Sequence, residues 1–305
     1  MIFFSKIMKT TSLSGGVFLI KIKDFNQEIV LGGNAMRKRD LLILLLALAV
    51  AVAVAVSVFS ASVIRTMGWG LNFRTLPPTG AAGKDQLLKL DAAYLGNTEE
   101  KKLYLTFDAG YENGTTAQIL DTLKKHDVKA AFFLAGHYFD KNADLVRRMH
   151  DEGHTVANHT GSHPDITKLD DEALTREIRG IEDKYRQITG QEMEKYFRPP
   201  QGIFNEQVLK KVQSLGYRTV FWSLAYVDWN DDAQPSREET MRRLLPRTHP
   251  GAVILLHSTS KANAAFLDEL LTKWKEEGYT FGTLEELFDG LSTKQSALKG
   301  AYRNP

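Results

Sequence analysis

The sequence has no cysteine among its 305 residues, which excludes a disulfide scaffold and any thiolate metal site. Any metal must therefore be held by His, Asp or Glu. It also has little net charge: 39 Lys and Arg against 37 Asp and Glu leave a formal +2. Electrostatics thus gives no reason to expect nucleic acid as a partner. No internal repeat is visible, and no protein partner is evident. What is present is 43% hydrophobic, 10% aromatic and 25% charged residues. That composition can bury a core and excludes wholesale disorder. The length is ample for one large domain, and the lack of cysteine by itself leaves the compartment open.

From Leu41 to Ile64 no residue is charged and nothing is more polar than Ser57, Ser60 and Ser62; Arg37-Lys38-Arg39 precedes the run and Arg65 follows it. A helix that crosses a hydrocarbon core needs about 20 residues, so residues 36–65 read as a signal peptide or signal anchor. The positive-inside rule keeps the amino terminus in the cytoplasm and exports everything past Arg65. A secretory h-region is about 7 to 15 residues, and the greater length here favours a retained membrane anchor. Small residues at Ser60, Ala61 and Ser62 keep cleavage and secretion open. Residues 1–35 read as neither a domain nor a targeting peptide. Translation is expected to begin at Met36, with Gly32-Gly33 as the in-frame reading of a purine-rich ribosome-binding sequence.

Residues 66–100 carry Trp69-Gly70, Pro77-Pro78-Thr79-Gly80 and Gly96-Asn97 and read as a linker or strap over the domain surface. Beyond residue 101 short apolar runs alternate with amphipathic stretches. Strands are expected at 103–107, 130–134, 155–157, 196–198, 219–222, 252–256 and weakly 279–281, bounded by Gly or Asp as buried parallel strands tend to be. Helices are expected at 116–126, 143–152, 171–189, 206–215, 237–248, 262–277 and 284–291. Ser236 with Glu239 and Thr283 with Glu286 form capping boxes, and Gly153, Gly190, Gly216 and Gly278 sit where helices should end. About seven β/α units point to an α/β fold, a barrel or a doubly wound sheet. The domain is expected at 101–290, followed by a tail at 291–305.

On those elements the chemically distinctive residues fall in one topological place. Asp108 ends the first strand, His159 and His163 follow the third, Arg198-Pro199-Pro200 ends the fourth, Asp228-Trp229 follows the fifth and His257 ends the sixth. In a parallel α/β fold these strand ends share one face, where active sites form. His159-x-x-x-His163 can place two imidazoles on one cation, although two loop histidines are as often surface residues. An isolated Asp108 would more often form a turn, and Arg198, suited to holding a carboxylate bidentately, could instead make a surface salt bridge. Trp229 could wall a sugar ring, although core packing is the commoner fate of Trp. His257 ends an apolar run and needs a partner, for which Asp228 is the obvious candidate. His126, His137, His150, His154 and His249 are expected to play no ligand role.

The segments Thr106-Phe107-Asp108-Ala109-Gly110, His159-Thr160-Gly161-Ser162-His163, Arg198-Pro199-Pro200-Gln201-Gly202, Asp228-Trp229 and Leu255-Leu256-His257 resemble, in order and spacing, the motifs of the polysaccharide deacetylases (NodB homology, carbohydrate esterase family four). Within that family, Gly110-Tyr111-Glu112-Asn113-Gly114 and Val220-Phe221-Trp222-Ser223 look most like the delta-lactam-biosynthetic de-N-acetylases of spore-forming bacteria. The resemblance implies a distorted (β/α) barrel and hydrolytic removal of the N-acetyl group from peptidoglycan muramic acid in spore cortex. It also implies a divalent metal: zinc, or else cobalt or manganese. By the same resemblance Asp108 matches the catalytic base, His159 and His163 the metal ligands, Arg198 the residue orienting the base and Gln201 the oxyanion stabiliser. His257 matches the general acid, Asp228 its tuning partner and Trp229 the pocket lining; Tyr111 is expected beside the substrate. One position departs from the pattern. Most of the family has a second Asp, a third metal ligand, where this chain has Ala109. Metal could then be weakly held, Glu112 or Asn113 could substitute, or the site could be degenerate. Rival readings are a deacetylase of chitin-like or O-acetylated glycan and a non-catalytic glycan-binding barrel. The delta-lactam subgroup also lacks the second Asp yet is active, which implies a working enzyme.

Overall fold

The computed structural model describes residues 28–31, 34–61 and 65–301, with side chains described for 39–53 and 65–293. The chain divides into two units, 1–64 and 65–305. In the first, Glu28–Leu31 and Asn34–Arg37 pair antiparallel and lead into a helix at Lys38–Ala61. Among the described residues no helix is long and apolar enough to cross a membrane. The expected apolar span runs on into residues 62–64, which lie outside the described residues, as does most of the expected upstream extension.

The second unit is built on a curled sheet of nine strands among the described residues. In chain order these are β1 (Ala92–Ala93), β2 (Lys102–Ala109), β3 (Ala131–Leu134), β4 (Thr155–Asn158), β5 (Tyr196–Phe197), β6 (Arg218–Val220), β7 (Leu224–Ala225), β8 (Val253–His257) and β9 (Thr280–Phe281). The spatial order is β7-β8-β2-β3-β4-β5-β6-β1 with β9 also on β2, and every pairing is parallel. The curl therefore stays open between β7 and β1, and the expected barrel is a half-barrel. The strands alternate as a two-faced buried sheet must. Leu103, Leu105, Phe107 and Ala109 face a large outer core under the helices, while Tyr104 joins Ala131, Phe133 and Val253 inside the curl. The helix Leu284–Ala301 seats Leu284, Leu287, Phe288 and Leu291 against those inner residues near the amino ends of the strands. The opposite, carboxyl end is left open.

Local signals place the helices. Ser236 caps Arg237–Leu244 through the Glu239 N–H, and Thr283 and Glu286 exchange reciprocal hydrogen bonds across 3.0 and 3.2 Å. Gly153, Gly190, Gly216 and Gly278 all take positive φ after their helices, which glycine adopts without steric cost.

The strap belongs to the same compact unit as the residues beyond 101, because it supplies strand β1 at the sheet edge and buries Trp69, Leu87, Leu90, Tyr94 and Leu95. The expected tail at 291–305 is helical through Ala301, since Leu291 is buried in the inner core. Two short strands, β1 and β7, escaped the sequence reading because two residues are too few to show any period.

Trp69 is the strap's anchor. Its backbone N–H donates to the Gly202 carbonyl across 2.8 Å, its Nε1–H to the Trp222 carbonyl across 2.9 Å, and its ring stacks on Phe221 at 4.3 Å between centroids. A Cβ at Gly202, which has φ +66°, would come within 2.9 Å of the Trp69 Cβ and 2.8 Å of the Trp222 ring. Truncating a buried aromatic of this kind costs about 3–5 kcal/mol. Trp69→Ala is expected to lower the unfolding free energy by that order in a urea titration of the chain; a loss below 1 kcal/mol would mean the strap is only draped over the surface.

Candidate active site

Strand register alone brings two of the expected residues together. Asp108 and His257 are Cα partners at the carboxyl ends of β2 and β8, so both side chains leave the same face of the sheet. Arg198 follows β5 across the curl and is fully buried. Its Nη1 donates to Asp108 Oδ1 at 2.6 Å, Nη2 to Thr106 Oγ1 at 2.9 Å and Nε to the Val220 carbonyl at 2.9 Å. The guanidinium also lies 4.1 Å from the Phe133 ring centroid. Burial pushes the Asp108 carboxyl up, but the Arg198 guanidinium, with His159 and His257, overrides it and holds it below the ordinary carboxylate range. The surface-salt-bridge alternative for Arg198 is thereby removed.

The loop after β4 carries His159 and His163. Thr160 and His163 both take positive φ, as does Gln201 in the facing loop, conformations costing roughly 1–2 kcal/mol per non-glycine residue. The strain is held by hydrogen bonds from Thr160 N–H to Asn158 Oδ1 and from His163 N–H to Thr160 Oγ1, both 3.0 Å. His159 Nδ1 donates to the Arg198 carbonyl at 2.8 Å, which leaves Nε2 as the lone-pair nitrogen, 3.6 Å from Asp108 Oδ2. The His163 ring lies edge-on at 4.8 Å between centroids. Burial pushes His159 down to about 4 and lowers His163 as well, so both are neutral at pH 7. Neutral imidazoles, one fixed through its far nitrogen by a backbone carbonyl, are the donors a divalent cation takes. The residues present therefore fit a cation held by two imidazoles. Among the described residues no cluster of three or more His, Cys, Asp or Glu side chains forms a closed cage, in keeping with Ala109, which is buried and packs on the outer face of β2.

His257 and Asp228 form the third part. The fully buried Asp228 accepts from His257 Nδ1 at 2.8 Å, from the His257 backbone N–H at 2.8 Å and from Asn263 Nδ2 at 2.6 Å. Burial pushes the His257 imidazole down, but the Asp228 carboxylate outweighs it and the net shift is upward. Nε2 remains for whatever occupies the cleft. The Trp229 ring lies 5.6 Å from the His257 ring and is half exposed.

These groups line one cavity of about 580 Å³, whose walls include Asp108, His159, His163, Gln201, Trp229 and His257. Tyr111 stands at its mouth, its hydroxyl donating to Asp231 Oδ2 at 2.9 Å. Asp228 and Arg198 stand behind the lining and act on it through His257 and Asp108. Neither Glu112 nor Asn113 reaches the cavity, so neither replaces the ligand missing at Ala109. Glu112 accepts from the Gly114 N–H, from the Thr116 hydroxyl and from the Tyr138 hydroxyl. Asn113 Nδ2 donates to the Thr259 carbonyl at 2.5 Å, and its Oδ1 accepts from Thr115. Glu112 is consumed at the start of the helix Thr116–Lys125, where it also accepts from the Thr116 N–H, and Asn113 ties the preceding turn to the loop after His257. The sequence reading also passed over His137, which lines the cavity, and Thr106 and Asn263, which steady Arg198 and Asp228. His137 lies three residues past the end of β3, at the same carboxyl rim as the other strand-end residues.

A family model described as polysaccharide deacetylase matches residues 95–220. The peptidoglycan-N-acetylmuramic acid deacetylase PdaA of Bacillus subtilis is 43% identical over 224 residues, covering 72% of this chain and 85% of that protein. The chain belongs to the polysaccharide deacetylase family. The solved structure of Bacillus subtilis PdaA, a family 4 carbohydrate esterase, superposes with a TM-score of 0.70 at 42% identity over 73% of this chain and 97% of that one. A Bacillus anthracis family 4 carbohydrate esterase gives 0.62 at 41% identity over 74% and 97%. As a polysaccharide deacetylase the protein is a hydrolase acting on the amide carbon–nitrogen bond of an acetylated glycan.

Removing one partner of a buried ion pair strands the other charge, at a cost of about 3–5 kcal/mol. Arg198→Met is expected to destabilise the chain by that order, and adding Asp108→Asn should recover most of it. Urea unfolding of both variants checks this; equal losses in the single and double variants would deny the pair its structural role.

Proposed function

We propose that this chain removes the N-acetyl group from muramic acid residues of peptidoglycan whose peptide stems have been cut away, freeing the amine for closure of a muramic delta-lactam. The carrying observation is the pairing of two groups at adjacent strand ends with opposed titration. Arg198 holds Asp108 below the ordinary carboxylate range, and Asp228 raises His257 above the ordinary imidazole value, both beside one sugar-sized cavity. Titratable partners pushed apart in this way mark a base and an acid. The name of the Bacillus subtilis relative supports muramic acid as the substrate.

An amide is a weak electrophile with a poor leaving group. A divalent cation at His159 and His163, zinc by the donor set and cobalt or manganese otherwise, would supply Lewis acidity there. Asp108 takes a proton from the attacking water, and Arg198 keeps its second oxygen fixed during the transfer. The strained Gln201 segment stands on the wall where the carbonyl oxygen would gather charge. His257 gives the Nε2 proton to the departing amine, so that acetate and a free amino sugar result. Trp229 and Tyr111 provide the apolar and polar edges against which a sugar ring would sit.

The substitution at Ala109 favours one other reading, a barrel that binds glycan without turnover. Acetate release from peptide-free peptidoglycan strands across a Zn²⁺, Co²⁺ and Mn²⁺ series separates the two, and release from chitooligosaccharides alone would reassign the substrate. His257→Ala is expected to lower kcat by roughly 10²–10⁴-fold. Because Asp228 raises the His257 pKa, the proton needed for departure is present below that pKa and lost above it. Asp228→Asn should therefore move the alkaline limb of kcat to lower pH; an unmoved limb would remove His257 from the acid's role.

We also propose export with retention at the membrane, on the basic residues before Leu41 and the uncharged run after it. Ile43, Leu44, Leu46 and Leu48 stand more than half exposed on their helix. Protease treatment of intact protoplasts should remove the catalytic unit; protection equal to that of a cytoplasmic marker would refute the topology.

A further inference from the structure

Four imidazoles line the cavity, and three are engaged: His159 with the Arg198 carbonyl, His257 with Asp228, and His163 with its own backbone. His137 has no hydrogen-bond partner among the described residues, and its ring is exposed toward the cleft. Its position is nonetheless built. It is the second residue of the helix Gly136–Lys141, whose first N–H donates to both the Thr160 and Gly161 carbonyls at 3.0 Å. Gly136 packs so closely on the histidine loop that a Cβ there would lie 2.5 Å from the Gly161 oxygen. The ring stands across Gly110, where a Cβ would be 3.7 Å from His137 Cε1, two residues from Asp108. No Lys or Arg is among the described residues lining the cavity, and its one lining carboxylate is already paired with Arg198.

An unpaired N–H donor fixed beside the reacting centre, in a cleft with no unpaired negative charge, suits an anionic acceptor on the substrate. On a peptide-free muramic residue the lactyl carboxylate at C3 neighbours the acetamido group at C2, and it exists as an anion only once the peptide is gone. We infer that His137 is a specificity-determining residue that donates a hydrogen bond to this lactyl carboxylate and so selects peptide-free muramic acid over glucosamine. Imidazole carries an N–H in either protonation state, so the contact needs no titration. The inference rests on the muramic reading above.

The test compares two substrates: peptide-free glycan strands with free lactyl carboxylates, and the same strands with those carboxyls converted to methyl amides. A hydrogen bond to a charged group should give the wild-type full chain a preference of about tenfold in kcat/KM for the carboxylate strand. In His137→Ala the loss should fall on KM, and the preference should collapse toward one. His137→Gln, which keeps an N–H donor, should restore part of it. Binding of both strands to the metal-free chain, followed by calorimetry, should show the same collapse without turnover, and zinc affinity by equilibrium dialysis should be unchanged. Equal losses on the two strands, or a fall in zinc affinity that made His137 a ligand, would overturn the inference. A wild type active on muramic strands whose His137→Ala variant keeps the preference refutes this inference alone. A wild type that releases no acetate from muramic strands refutes the substrate reading, and this inference with it.

Discussion

The structure depends on one buried ion pair. Arg198, fully enclosed within the curl of the sheet, holds Asp108 at 2.6 Å. A buried carboxylate and guanidinium each carry a desolvation cost that only good geometry and further hydrogen bonds offset. Here the remaining donors reach Thr106 and the Val220 carbonyl, and the flat cation lies over Phe133. Three strands and an aromatic ring are thus committed to one charge. The Arg198 carbonyl then fixes His159 through Nδ1, so one residue sets both the ionisation of the carboxylate and the orientation of the nearest imidazole. A pair of this kind is a poor source of net stability; what it secures is a defined charge at a defined place.

The second constraint lies in the backbone. The turns that present His163 and Gln201 are left-handed, conformations that open loops abandon. They persist because neighbours are packed too closely for relaxation: Gly136 against Gly161, and Gly202 between Trp69 and Trp222. At each place a glycine gives the space that another residue's strain occupies. The rigidity needed for catalysis is in this way distributed over segments that carry no chemistry.

The sequence made the rim legible because its long strands end in unusual residues. Asp108 and His257 close apolar runs of five or more residues, and the parallel register that makes them neighbours follows from the βα alternation. Arg198 and Asp228 could be named but not placed. Nothing local distinguishes a buried guanidinium from a surface one, and burial here is decided by the curl. Glu112 and Asn113 misled for a related reason. As oxygen donors near Ala109 they looked free, yet the unpaired N–H groups at the start of the helix take up Glu112, and the Thr115 hydroxyl takes up the Asn113 oxygen. His137 was missed because a lone histidine after a short strand has no pattern of its own; its meaning comes from the cavity it faces. That the strap packs as part of the compact unit was not legible, because two-residue strands and a segment without periodicity leave no signal, whereas Trp69 and the residues around it act through packing.

The strap has a bearing on where such a unit can be trimmed. The family model begins at residue 95, but the tryptophan that backs the Gln201 turn lies 26 positions earlier, at Trp69. A chain trimmed to the boundary that the shared motifs define would keep every residue of the rim and lose the ring packed behind it.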